Sequence, residues 1–118
     1  MRVLIADDAM FMRTVLKNIL VKAGHQVVAE ASNGVEMLSK YEEVNPDIVT
    51  LDITMPEMDG LEAVKQLIIK HPDARVIMCS AMGQKAMVIE AIRNGAKDFI
   101  VKPFKAELVL ETLERCSK

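Results

Sequence analysis

Asp47-Ile-Val-Thr-Leu-Asp52-Ile-Thr-Met-Pro56 is the stretch that decides how the chain folds. Ile48 to Leu51 is an unbroken apolar or β-branched run, the pattern of a strand covered on both faces by helices. A carboxylate, Asp52, closes the run, and Pro56 marks the loop that follows. From about Gly60 to Lys70, Leu61, Val64, Leu67 and Ile68 recur at helical spacing until His71-Pro72 breaks the pattern. The unit is therefore strand, polar loop, helix.

The same unit repeats outward in both directions. Val3-Leu-Ile-Ala6 stops at Asp7-Asp8, and Phe11, Val15, Leu16, Ile19 and Leu20 then form an expected helical stripe ended by Gly24. Gln26–Ala31 reads as a second strand, Ser32-Asn33-Gly34 as a turn, and the next helix is expected to turn Val35, Leu38 and Tyr41 inward before Asn45-Pro46. Arg75–Cys79 leads through Ser80 and a loop with Gly83 into a helix carrying Val88, Ile89 and Ile92, which stops near Asn94-Gly95. Asp98–Val101 meets Lys102-Pro103, and Leu108, Val109, Leu113 and Cys116 mark a last helix. Five strands with crossover helices must run parallel with right-handed connections, which predicts an α/β doubly wound sheet.

Composition narrows the function. A chain of 118 residues, 51% of them hydrophobic, fits one domain over 1–118, with no output domain expected. The net charge of -2, and the lack of a Lys/Arg cluster interleaved with aromatics, argue against nucleic-acid binding. No run approaches the ~20 apolar residues that span a bilayer, and Met1-Arg2 is followed by a short apolar run and two aspartates, unlike a secretory signal. A cytoplasmic protein with no membrane partner is expected. Cys79 and Cys116 match no zinc or disulfide spacing and read as reduced, structural thiols.

The polar residues gather at one end of the predicted sheet: Asp7 and Asp8 after the first strand, Asp52 after the third, Ser80 after the fourth and Lys102 after the fifth. In open α/β sheets ligands bind beyond the carboxyl ends of the strands at the topological switch, which for strand order 2-1-3-4-5 lies between strands one and three. Three carboxylates there repel one another unless some are protonated or a hard divalent cation joins them. Mg2+ suits such a site, with Asp8 and Asp52 as side-chain ligands. Lys102 could pair with Asp52, and the hydroxyl of Ser80 could bond a phosphoryl oxygen. Plainer roles stand beside these: Asp7-Asp8 as a helix start, Ser80 as a cap, Lys102 in a surface ion pair.

Asp7-Asp8, Asp52-Ile-Thr-Met-Pro56, Gly60, Cys79-Ser80-Ala81 and Lys102-Pro103 together resemble the response-regulator receiver family, and the resemblance covers the whole chain. Met78–Gln84 and Lys97–Phe104 resemble more narrowly its single-domain chemotaxis members. The resemblance implies a flavodoxin-like fold and a phosphorylation-activated signalling protein, not a turnover enzyme. It implies Asp52 as phosphoacceptor, a Mg2+ site of Asp7, Asp8, Asp52 and the backbone carbonyl of Thr54, Lys102 against the acyl phosphate, and Ser80 as switch hydroxyl. Lys102-Pro103 is implied to be cis. Implied partners are a histidine kinase, the flagellar motor switch protein and a phosphatase, with the chain a monomer.

Phe99 falls at the family's rotameric switch position, often Tyr, so any hydroxyl contribution is missing here; an ordinary core phenylalanine is the competing reading. Lys85, Arg93, Lys97 and Lys105 add positive charge that could attract an acidic peptide, and Met55, Met58, Met82 and Met87 could serve adaptable contacts or simply fill space. A phosphorelay receiver that passes its phosphoryl group to a phosphotransfer domain shares every site residue. A haloacid dehalogenase-like phosphohydrolase also uses an Asp after a strand, but Asp52-Ile-Thr lacks that motif's second Asp. A flavin-binding module of the same fold is disfavoured, since three aspartates oppose a flavin phosphate.

Overall fold

A computed structural model describes residues 1–117. The elements alternate as β1 (Arg2–Ala6), α1 (Met10–Lys22), β2 (Gln26–Ala31), α2 (Gly34–Val44), β3 (Ile48–Asp52), α3 (Gly60–Lys70), β4 (Val76–Ser80), α4 (Lys85–Arg93), β5 (Asp98–Val101) and α5 (Ala106–Cys116). All strands pair in parallel in the order β2-β1-β3-β4-β5, the expected doubly wound sheet. Every residue of β3 and β4 is buried, as both-face coverage demands.

Side chains alternate across the sheet, and each face has its own core. Leu4, Val49, Leu51, Val76 and Met78 pack with Met37, Val64 and Leu67 beneath α2, α3 and α4. Val3, Ile5, Ile48, Ile77 and Cys79 pack with Leu16, Leu20, Val109 and Leu113 beneath α1 and α5. Cys79 and Cys116 are both buried and free, as expected of structural thiols.

Two helices are rotated from the expected stripes. Phe11 is 75% exposed because α1 centres its buried face on Leu16 and Leu20, from which Phe11 lies roughly 140° and 180° around the axis. Val35 is 54% exposed because α2 buries Gly34, Met37 and Tyr41. Gly34 fixes that rotation: a Cβ there would come within 2.6 Å of the carbonyl oxygen of Met58.

The start of α3 depends on a similar approach. Asp59 caps the helix by accepting from the Glu62 N–H at 3.0 Å, and the Gly60 N–H donates to the Ile53 carbonyl at 2.7 Å. A Cβ on Gly60 would overlap the carbonyl oxygen of Asp52 itself. Gly60→Ala is therefore expected to lower unfolding free energy by about 1–3 kcal/mol in denaturant titration, and to displace Asp52, because backbone rather than a movable side chain blocks the methyl group. Unchanged stability would show that the loop relaxes freely.

Candidate functional site

The parallel sheet brings the carboxyl ends of β1, β3, β4 and β5 to one edge, and four of the predicted residues meet there. One carboxylate oxygen from each of Asp7, Asp8 and Asp52 lies within 4.8 Å of the other two. Asp7 and Asp52 are buried whereas Asp8 is exposed, so the cluster opens to solvent on the Asp8 side. Lys102 reaches in from the end of β5, with Nζ 2.8 Å from Asp7 Oδ2 and 3.2 Å from Asp52 Oδ2. The expected pairing with Asp52 is thus shared with Asp7.

Local backbone contacts aim these groups. The Asp7 N–H donates to the Ala31 carbonyl at 3.0 Å, and its Oδ1 accepts from the Ala9 N–H at 2.9 Å, which turns the chain out of β1. The N-cap of α1 is Ala9, so Asp7 and Asp8 do not cap that helix with their side chains. The Lys102 N–H donates to the Ser80 carbonyl at 2.8 Å, which anchors the lysine to β4, and the Lys102-Pro103 peptide is cis. Ser80 is buried as the last residue of β4, four positions before the Gln84 N-cap of α4, and so is not that helix's cap.

Electrostatics follows from this packing. Burial, and then the neighbouring charge of Asp7, raise the Asp52 carboxyl from 3.8 to about 6 against the opposing pull of Lys102. Burial alone would lower the Lys102 ammonium, but its bond to Asp7 and the charges of Asp52 and Asp7 outweigh burial and raise it. Burial, with Asp52 next in importance, pushes the Cys79 thiol up and keeps it protonated. Three carboxylates against one ammonium leave a formal excess of two negative charges, which a hard divalent cation would neutralise with oxygen ligands alone. The donor set therefore fits a cation such as Mg2+.

The side chains of Thr54 and Phe99 are placed by other contacts. Thr54 is exposed in the loop after β3, where its hydroxyl accepts from Gln84 Nε2 at 2.9 Å. Phe99, 41% exposed, borders an apolar groove of about 350 Å³ with Val88, Ile89, Ile92 and Val101, so it is not an ordinary core residue. Ser80 lines the same groove.

Two residues that support the site were missed in the sequence. Arg13 donates from Nη1 to the Asp7 carbonyl at 2.6 Å and from Nε to Glu30 Oε1 at 3.1 Å, bracing the turn that carries both aspartates. Its signal was present, since Arg13 shares the buried stripe of Leu16 and Leu20 at helical spacing. Gln84, in a loop without periodicity, offered none.

Burying a charged Asp52 has a cost that depends on pH. A carboxyl raised in the folded state favours folding where it is protonated; that contribution is intact below pH about 4 and lost above about 6. Asp52→Asn is thus expected to stabilise the magnesium-free protein by about 1–3 kcal/mol at pH 7.5, with the difference shrinking toward zero below pH about 4. Denaturant unfolding across pH checks this, and a pH-independent difference would refute it.

Residues 3–114 match the response regulator receiver domain family. The chain is 65% identical to the chemotaxis protein CheY of Listeria monocytogenes, over 100% of this chain and 99% of that protein. It is 61% identical to the CheY of Thermotoga maritima, over 99% and 98% of the two chains. It superposes on the CheY of a Borrelia burgdorferi CheX-CheY-BeF3-Mg2+ complex with a TM-score of 0.92 at 40% identity, covering 97% of this chain and 87% of that one. With the sheet order and the acidic edge described above, these likenesses make the chain a member of the response-regulator receiver family, a signalling domain of the chemotaxis CheY type.

Proposed function

We propose that Asp52 is the phosphoacceptor of this domain, taking a phosphoryl group from the phosphohistidine of a histidine kinase. The observation that carries the proposal is the Lys102 ammonium held within 3.2 Å of a buried Asp52 carboxylate beside Asp7 and Asp8. A carboxylate oxygen of Asp52 attacks phosphorus, its new O–P bond forming as the donor's N–P bond breaks, so the imidazole leaves and an acyl phosphate remains. Asp7, Asp8, Asp52 and the Thr54 backbone carbonyl would hold Mg2+, which when bound offsets charge on the phosphoryl oxygens. Lys102 turns from the free carboxylate to a phosphoryl oxygen. Water later cleaves the acyl phosphate, and a phosphatase partner would hasten that reset.

The switch follows from where Ser80 sits. Its hydroxyl donates to the phosphoryl group and draws the loop after β4 toward Asp52, which reshapes the groove bordered by Phe99. Phe99 acts there by packing, having no hydroxyl. The groove is apolar, and Lys85 lies on its rim. An amphipathic acidic segment of the flagellar motor switch is the partner this surface fits best. The magnesium and beryllium fluoride named with the Borrelia relative support the same reading. The domain is proposed to act as a monomer.

With magnesium and a small acyl phosphodonor, the protein is expected to form an acid-stable, base-labile phosphoprotein, and Asp52→Asn to lose it. Lys102→Ala keeps the acceptor but removes a charge-assisted contact, so labelling is expected to slow roughly 10- to 100-fold. Undiminished labelling of Asp52→Asn would overturn the assignment. Phosphotransfer to a phosphotransfer domain, without phosphorylation-dependent binding to a motor switch peptide, would favour a relay.

A further inference from the structure

One side chain ties together the two loops that flank the mouth of the site. Gln84 Oε1 accepts from the Ala81 N–H at 2.7 Å, and Gln84 Nε2 donates to the Thr54 hydroxyl at 2.9 Å. Ala81 directly follows Ser80, and Thr54 stands two residues after Asp52. Little else holds the loop. Among the described residues no backbone–backbone hydrogen bond outside regular elements involves residues 81–83, Met82 is 86% exposed, and Gly83 adopts a positive φ of 87°.

A carboxamide donates and accepts at once from one planar group, which is what bonds to a backbone N–H and a hydroxyl acceptor demand here. The span also matters. Gln84 closes a short ring back onto Ala81 while its other atom crosses to a loop thirty residues earlier in the chain. An inward movement of Ser80 carries Ala81 with it, whereas Thr54 stays with the strand that bears Asp52. Such a movement changes the separation of Ala81 and Thr54, which the two bonds together fix.

We propose that Gln84 is a positioning residue, a latch that holds the loop after β4 to Thr54 in the unphosphorylated protein and opens when Ser80 moves toward Asp52. This rests on the assignment of Asp52 and Ser80 made above and adds to it a residue that sets how readily the switch fires. A contact present in only one of two states biases the equilibrium toward that state by its own free energy, and no more. Losing the latch therefore favours the active arrangement.

The test uses the full chain, with labelling from a small acyl phosphodonor in magnesium and amide signals followed by NMR. Gln84→Met keeps length but neither bond, and Thr54→Val removes the hydroxyl while keeping the backbone carbonyl. Each is expected to accelerate labelling roughly two- to tenfold, the range of one ordinary hydrogen bond. Because both changes break one unit, the double variant is expected to go no faster than the faster single one. Beryllium fluoride is expected to shift the Ala81 amide and Gln84 side-chain amide signals of the wild type, and Gln84→Met to show faster Ala81 hydrogen exchange before any phosphate analogue is added. Wild-type labelling rates in Gln84→Met, fully multiplicative effects in the double variant, or an Ala81 amide indifferent to beryllium fluoride would each overturn the latch. A wild type that takes no label would instead overturn the assignment of Asp52, and is recognised before any variant is compared.

Discussion

Lys102 stands between two carboxylates that could not otherwise be buried side by side. Its Nζ lies 2.8 Å from Asp7 and 3.2 Å from Asp52, and both acids are almost wholly out of solvent. Without a counter-charge, two such groups would be driven to share a proton. A single ammonium does not balance three carboxylates, and the remaining charge is what makes the edge of the sheet receptive to a divalent cation. The raised value of Asp52 reflects its burial first and the neighbouring charge of Asp7 second. Stability given up at one edge in this way is typical of a functional site.

The sheet does the assembling, and glycine permits it. Parallel order β2-β1-β3-β4-β5 sends residues 45 and more positions apart in the chain, Asp7, Asp52 and Lys102 among them, to one edge. Asp52 must also sit where α3 begins, and a residue with a side chain at position 60 would push against its carbonyl. The apolar strand beneath Asp52 and the glycine after its loop are thus parts of one device.

How much of this was legible in the sequence varied with the kind of pattern involved. Strands buried on both faces, such as Ile48–Asp52, write themselves as continuous apolar runs, and the carboxylates that end them follow at once. The rotation of each helix was harder, because an apolar residue near a helix start can match the stripe in composition yet face away, as Phe11 and Val35 do. Arg13 was overlooked although it stood on a buried stripe, since a charged residue there reads as an exception until the Asp7 carbonyl is seen beside it. Gln84 and Thr54 were illegible as a pair: loops carry no period, and contacts across thirty residues appear only in three dimensions.

The route from the site to the outer surface is short, and strand geometry explains why. In β4, Ile77 and Cys79 face α1 and α5, and Met78 faces the helices on the other side. Ser80 continues the side of Met78, so at rest it borders the groove with Phe99, while Cys79, paired in register with Asp52, lies under the acidic cluster. A hydroxyl that begins on the groove face and is drawn toward Asp52 must change both places at once. No chain of intermediates is required, because the end of β4 is already the boundary between them. In the proposed switch the buried strand would hold still and the change would fall in the loop beyond it, where Ala81, Met82 and Gly83 are exposed and few backbone bonds resist movement.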